Sequence, residues 1–127
     1  MSNIKVDCVL DARANLGEGP IWSIEDQRLY WVDINNYQLN KFNPVNGKNI
    51  TIDVGKSIGC FAIKKNLNII LALSNGFFEF NQNDKSKTFI NNPESHILEN
   101  RFNDGTVDLK GRFYAGTMPI DGPNKKK

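Results

Sequence analysis

The sequence predicts an all-β fold, and among all-β folds a β-propeller. Three observations carry this. Helical periodicity is nearly absent. Short apolar runs rich in β-branched and aromatic residues alternate with polar turns. And the four-run unit recurs, with Leu29, Ile69 and Phe113 opening equivalent runs 40 and 44 residues apart. Four short strands per roughly 40–45 residues is the period of a propeller blade. A sandwich also accepts short strands with turns every 8–12 or so residues and remains the alternative on periodicity alone.

Each element follows from its residues. Residues 19–22 form a first short strand, and 24–27 turn the chain into 28–34, a β-branched and aromatic strand. Asn35-Asn36 turns it again into 38–42, where polar and apolar residues alternate. Asn43-Pro44-Val45-Asn46-Gly47 is a strong turn signal, because Pro presets φ and Asn-Gly tolerates positive φ. Residues 49–54 complete the first unit. The second has strands at 58–63, 69–73, 77–80 and 88–90, joined by polar turns. A third begins at Asn103-Asp104-Gly105, with strands at 106–109 and 112–118. The repeats are therefore expected at about 16–54, 57–92 and 103–127, the last incomplete, all within one domain.

A propeller closes as a ring of roughly four to eight blades, each packed on its neighbours. Two and a half blades leave two blade faces open. The sequence is thus expected to be the N-terminal part of a larger propeller. Its open edges and faces favour aggregation or pairing with another copy.

Composition narrows the function. The three-lysine end, Lys125–Lys127, turns a body of 13 basic and 14 acidic residues into a chain of net charge +2. No basic face points to nucleic acid. No apolar run approaches the roughly 20 residues of a membrane helix. Asp7 interrupts the stretch where an export signal would be apolar, so a cytoplasmic protein with reduced thiols is expected. Cys8 and Cys60 lie far apart and read as packing residues. His96 is the only histidine and sits in a polar segment, which gives no support to a histidine triad or a multi-histidine metal site.

Two constellations could carry chemistry. Glu18 lies between Gly17 and Gly19, just before a strand, where a bare backbone lets a ligand or ion approach its carboxylate. An exposed turn glutamate would look the same. Asn100-Arg101-Phe102-Asn103-Asp104-Gly105 combines a guanidinium, amides and a carboxylate, a donor set suited to a polyhydroxylated or anionic ligand. Its other reading is an inter-blade turn, with Asp104-Gly105 as turn chemistry.

Together these segments resemble one family in order and spacing. They are Gly17-Glu18-Gly19-Pro20-Ile21-Trp22, the strand 29–34, the Asn100–Gly105 motif, and Ala115-Gly116-Thr117-Met118. The family is that of regucalcin (senescence marker protein), gluconolactonase and luciferin-regenerating enzyme, and the likeness runs from about Ile4 to Met118. It implies a six-bladed propeller of which this chain supplies the first two and a half blades. It also implies a metal-dependent hydrolase of sugar lactones. The alternatives within the resemblance are a calcium-binding regulatory protein without significant catalysis, and an inactive truncated product.

By the resemblance, Glu18 is a metal ligand, and Arg101 and Asn103 hydrogen-bond the sugar-lactone hydroxyls. Asp121 stands where some members place a further substrate-binding acid, although the sequence around it departs from the family's pattern. The remaining ligands and the general base belong to later blades, so no catalytic residue is assigned in this chain. The implied metal is Ca²⁺ first, with Mg²⁺, Mn²⁺ or Zn²⁺ as alternatives; hard oxygen ligands suit these ions. The implied partner is a small-molecule sugar lactone, with no nucleic acid or membrane.

Overall fold

The computed structural model describes residues 3–121. The expectations for a loop at Gly122-Pro123 and for a solvated Lys125–Lys127 lie outside them. Ten strands run in chain order: β1 (Gly17–Ser23), β2 (Arg28–Asp33), β3 (Gln38–Phe42), β4 (Asn49–Asp53), β5 (Ile58–Ile63), β6 (Ile69–Leu73), β7 (Gly76–Phe80), β8 (Lys87–Asn91), β9 (Asn100–Val107) and β10 (Phe113–Pro119). They form two four-stranded antiparallel meanders, β1-β2-β3-β4 and β5-β6-β7-β8, and a two-stranded sheet of β9 and β10. These are two propeller blades and the inner half of a third. Among the described residues no helix is long and apolar enough to cross a membrane.

The turns repeat with the blades. Gln27, Leu67 and Gly111 occupy the same position of the β1–β2, β5–β6 and β9–β10 turns, and all three have positive φ. In the outer turns Asn43 and Asn81 each accept, through Oδ1, the amide two residues on, at 2.9 and 2.8 Å. These Asx turns lead to Gly47 (φ 71°) in one blade and Lys85 (φ 64°) in the other. A lysine bears a steric cost there that glycine does not. Lys85→Gly is therefore expected to raise stability by about 0.5 kcal/mol, the left-handed strain relieved less the added chain entropy. A lowered urea midpoint would contradict this.

Apolar alternation sets the packing. Tyr30, Val32 and Leu39 of the first blade meet Ile58, Phe61 and Leu71 of the second in one buried cluster. A polar tie closes the same junction: Lys41 Nζ lies 2.7 Å from Asp26 Oδ2, Tyr30 Oη donates to that oxygen at 2.8 Å, and Gln82 reaches the tyrosine from the second blade. A second cluster joins the second blade to the third, with Cys60, Ala72 and Phe102 buried and Phe77 and Phe113 against them. The Phe77 and Phe102 rings stand 4.5 Å apart.

Cys60 is buried as a packing residue should be, but Cys8 is exposed, in a segment that belongs to no strand. Two further expectations need correction. Glu18 does not precede its strand but lies inside it, because β1 starts at Gly17. The third unit's first strand runs from Asn100 to Val107 rather than over 106–109, and Asp108 and Leu109 belong to the turn. Both differences have one cause. Each inner strand carries a bulge, between Glu18 and Ile21 in β1, at Gly59 in β5, and opposite Gly116 in β9. A bulge inserts one residue without ending the strand, so turn-forming Gly-Pro and Asn-Asp-Gly are carried within the ladder.

Candidate functional site at the starts of the inner strands

The topology gathers the candidate residues at one end of the blades. The start of each inner strand pairs with the end of the next strand: Gly17 with Asp33, Ile58 with Leu73, Asn100 with Pro119. Glu18 and Arg101 therefore stand at the leading ends of β1 and β9. Gly59 brings β5 and β9 into direct contact, since a Cβ there would overlap the Phe102 carbonyl.

Glu18 is exposed on the β1 bulge, beside Gly19 at φ 60°. It lines a groove of about 680 Å³ that runs along the three inner strands past Phe61 and Asp104. Asp104 is exposed, and its Oδ1 accepts the Gly105 amide at 2.7 Å. Cys60 borders the same groove from the core. Burial pushes its thiol up to about 12, and the nearby Asp104 charge adds to the effect. At neutral pH it is a protonated packing residue and not a nucleophile.

Arg101 and Asn103 flank Phe102 on β9. Phe102 points into the core, so its neighbours on either side face away from it. Arg101 is half-buried, with Nη1 donating to the Phe102 carbonyl at 2.8 Å, while Asn103 is exposed. Asp121 is exposed just past β10, near the Asn100–Pro119 pair. Arg101 and Glu18 thus share an end of the blades but line different grooves.

Asp104, which the sequence offers either as part of a ligand-suited donor set or as turn chemistry, faces the Glu18 groove. Glu94 has no signal in the sequence. Glu94, in the β8–β9 connection, accepts from Asn100 Nδ2 and Thr117 Oγ1, both at 2.9 Å. Those two bonds hold its carboxyl below the usual range. Glu94 lines one groove with Arg101; its partners lie 6 and 23 residues away, so no local motif marks it.

Residues 16–127 match the family model of the SMP-30/gluconolactonase/LRE-like region. The chain belongs to this family. It is 37% identical over 118 residues to regucalcin of Xenopus laevis, covering 93% of this chain and 40% of that protein. It is 34% identical over 116 residues to a 6-deoxy-6-sulfogluconolactonase of Pseudomonas putida, covering 91% and 40%. The structure of a luciferin-regenerating enzyme superposes with a TM-score of 0.81 at 30% identity, over 87% of this chain and 40% of that one. The chain thus spans about two-fifths of the length of the curated relatives it matches. The family comprises sugar lactonases and regucalcins, and the sheets described above are its propeller blades.

The family implies a divalent metal, and the donor set fits it only in part. Glu18 is a hard carboxylate on an open bulge, as such an ion requires. Among the described residues, however, no three His, Cys, Asp or Glu side chains converge on one point.

Proposed function

We propose that this chain carries the substrate-binding face and one metal ligand of a sugar-lactone hydrolase. The observation that supports it most directly is the common placement of Glu18 and the Asn100–Gly105 motif at the leading ends of the inner strands. Arg101 offers a planar fork of donors for ring or exocyclic oxygens. Asn103, with both donor and acceptor, suits a hydroxyl. Asp121 would accept from a further hydroxyl. A divalent ion at Glu18, bound with additional ligands, would polarise the lactone carbonyl and acidify water. Arg101 and Asn103 orient the ring, which makes attack on its carbonyl effectively intramolecular. No described residue is assigned as the general base.

Ligand counting supports a weak metal site and little turnover for the 127-residue protein alone. Ca²⁺ takes roughly 6–8 oxygens, of which one carboxylate supplies at most two. Ca²⁺ is expected to bind with a dissociation constant weaker than about 1 mM. It should shift the amide resonances around Glu18, and Glu18→Gln should abolish those shifts. Gluconolactone turnover should be negligible with Ca²⁺, Mg²⁺, Mn²⁺ or Zn²⁺. The neutral analogue D-glucitol should shift the Arg101 and Asn103 amides. Unmoved amides on β9 would remove the substrate-binding reading. Ca²⁺ affinity without any sugar response would favour a calcium-binding role instead.

A further inference from the structure

A second groove, of about 480 Å³, opens where the connections at this end of the blades meet. Asn35 and Tyr37 come from β2–β3, Lys56 and Ser57 from β4–β5, Ser74 from β6–β7, and Arg101 from β9. Its lining holds two cations, hydroxyls and an amide, but no carboxylate. The surrounding carboxylates lie outside its lining. Asp53 Oδ1 accepts the Gly55 amide at 2.7 Å. Glu94 is held by Asn100 and Thr117. Asp121 follows Ile120 at the rim. Lys87 stands outside the lining, its Nζ donating to the Val54 carbonyl at 2.5 Å and lying 3.9 Å from where a Cβ on Gly55 would be. Lys56 is exposed and makes no ion pair among the described residues.

Two cations in a lining that holds no carboxylate favour an oxyanion at direct contact, where a charge acts most strongly; the carboxylates of Asp53, Glu94 and Asp121 lie outside that lining. Arg101 spends one N–H on the Phe102 carbonyl and keeps others, and a guanidinium fork matches the oxygens of an oxyanion. We propose that this groove is an oxyanion subsite, and that the preferred ligand is a sugar lactone or its open acid bearing a phosphate or sulfonate group. Lys56 is the specificity-determining residue. The proposal rests on the sugar-lactone reading for the part of the ligand that Arg101 shares.

The test is calorimetric titration of the full chain with D-glucitol, D-glucitol 6-phosphate, its 6-sulfonate analogue and inorganic phosphate. The phosphate ester should bind about tenfold tighter than glucitol, the sulfonate similarly, and the advantage should shrink with added salt. Lys56→Gln should erase the advantage and leave glucitol binding unchanged, while Lys56→Arg should keep it. Lys56 is a surface side chain, so both variants should fold as the parent does. Equal affinity for glucitol and its phosphate, or an advantage that survives Lys56→Gln, overturns the subsite and leaves the sugar reading standing. If glucitol does not bind and the esters bind no tighter than inorganic phosphate, the sugar reading fails. The anion site then stands only if Lys56→Gln removes the phosphate binding. If no probe binds, both are overturned.

Discussion

Gly59→Ala is expected to cost about 3 kcal/mol or more, at the upper end of what overpacking does. The added Cβ would overlap the carbonyl group of Phe102 and stand 2.7 Å from the Asn103 amide nitrogen. Those atoms are backbone of the neighbouring blade and have no rotamer to yield. Relief requires β9 to move away from β5, which also pulls Phe102 from Phe77 and opens the second core cluster. Gly111→Ala is the control. Gly111 has φ 77°, but a Cβ added there would meet no atom within 4 Å, so only the left-handed strain remains, about 1 kcal/mol. Urea denaturation of both variants separates close approach from conformational strain. A Gly59 variant as stable as the Gly111 variant would show that β5 and β9 are not in contact. Because Arg101 and Asn103 flank Phe102, the Gly59 variant should also lose the glucitol response.

The strands that pack both faces are legible in the sequence. Residues 58–63 and 69–73 are continuous apolar runs, and the structure buries nearly all of both strands. The blade period is legible too, in the recurrence of Leu29, Ile69 and Phe113, and the structure places one turn geometry just before each of them, at Gln27, Leu67 and Gly111. The start of β9 is not. Asn, Asp and Gly are depleted in strands, and only a bulge opposite Gly116 lets Asn103-Asp104 stay in the ladder. That bulge is set by the partner strand and by the approach of β5, which no local pattern encodes. The site divides in the same way. Glu18, Arg101 and Asn103 stand in recognisable motifs, but their shared end of the blades is a product of topology. Lys56 sits between Gly55 and Ser57 in an ordinary turn, and only the convergence of three connections with the start of β9 gives it a groove to face.

The second large effect is expected at Asp33, which closes the same end of the first blade. It is 1% exposed. Its carboxylate accepts the Asn15 amide at 2.8 Å, the Leu16 amide at 3.0 Å and the Asn36 side-chain amide at 2.8 Å. These bonds fasten the segment before β1 and the β2–β3 turn that carries Asn35. Asp33→Ala removes the acceptor of two part-buried backbone donors and leaves a space where a buried carboxylate stood, and is expected to cost about 3 kcal/mol. Asp33→Asn keeps the shape but loses the charge, and should cost about half as much. Burial raises the Asp33 pKa, but the Leu16, Asn15 and Asn36 bonds together outweigh it and hold the carboxyl below its ordinary value. A depressed folded-state pKa means that the unfolded chain binds the proton more readily. The contribution is then complete above the unfolded value of about 3.9 and is lost as pH falls through the folded value. The stability gap between the parent and Asp33→Asn should accordingly be wide at pH 7 and narrow steadily below about pH 4. A gap that stays constant from neutral pH to about pH 3 would mean that the side chain's shape, not its charge, secures the segment. The positions of Glu18 and Asn35 would then depend on packing alone.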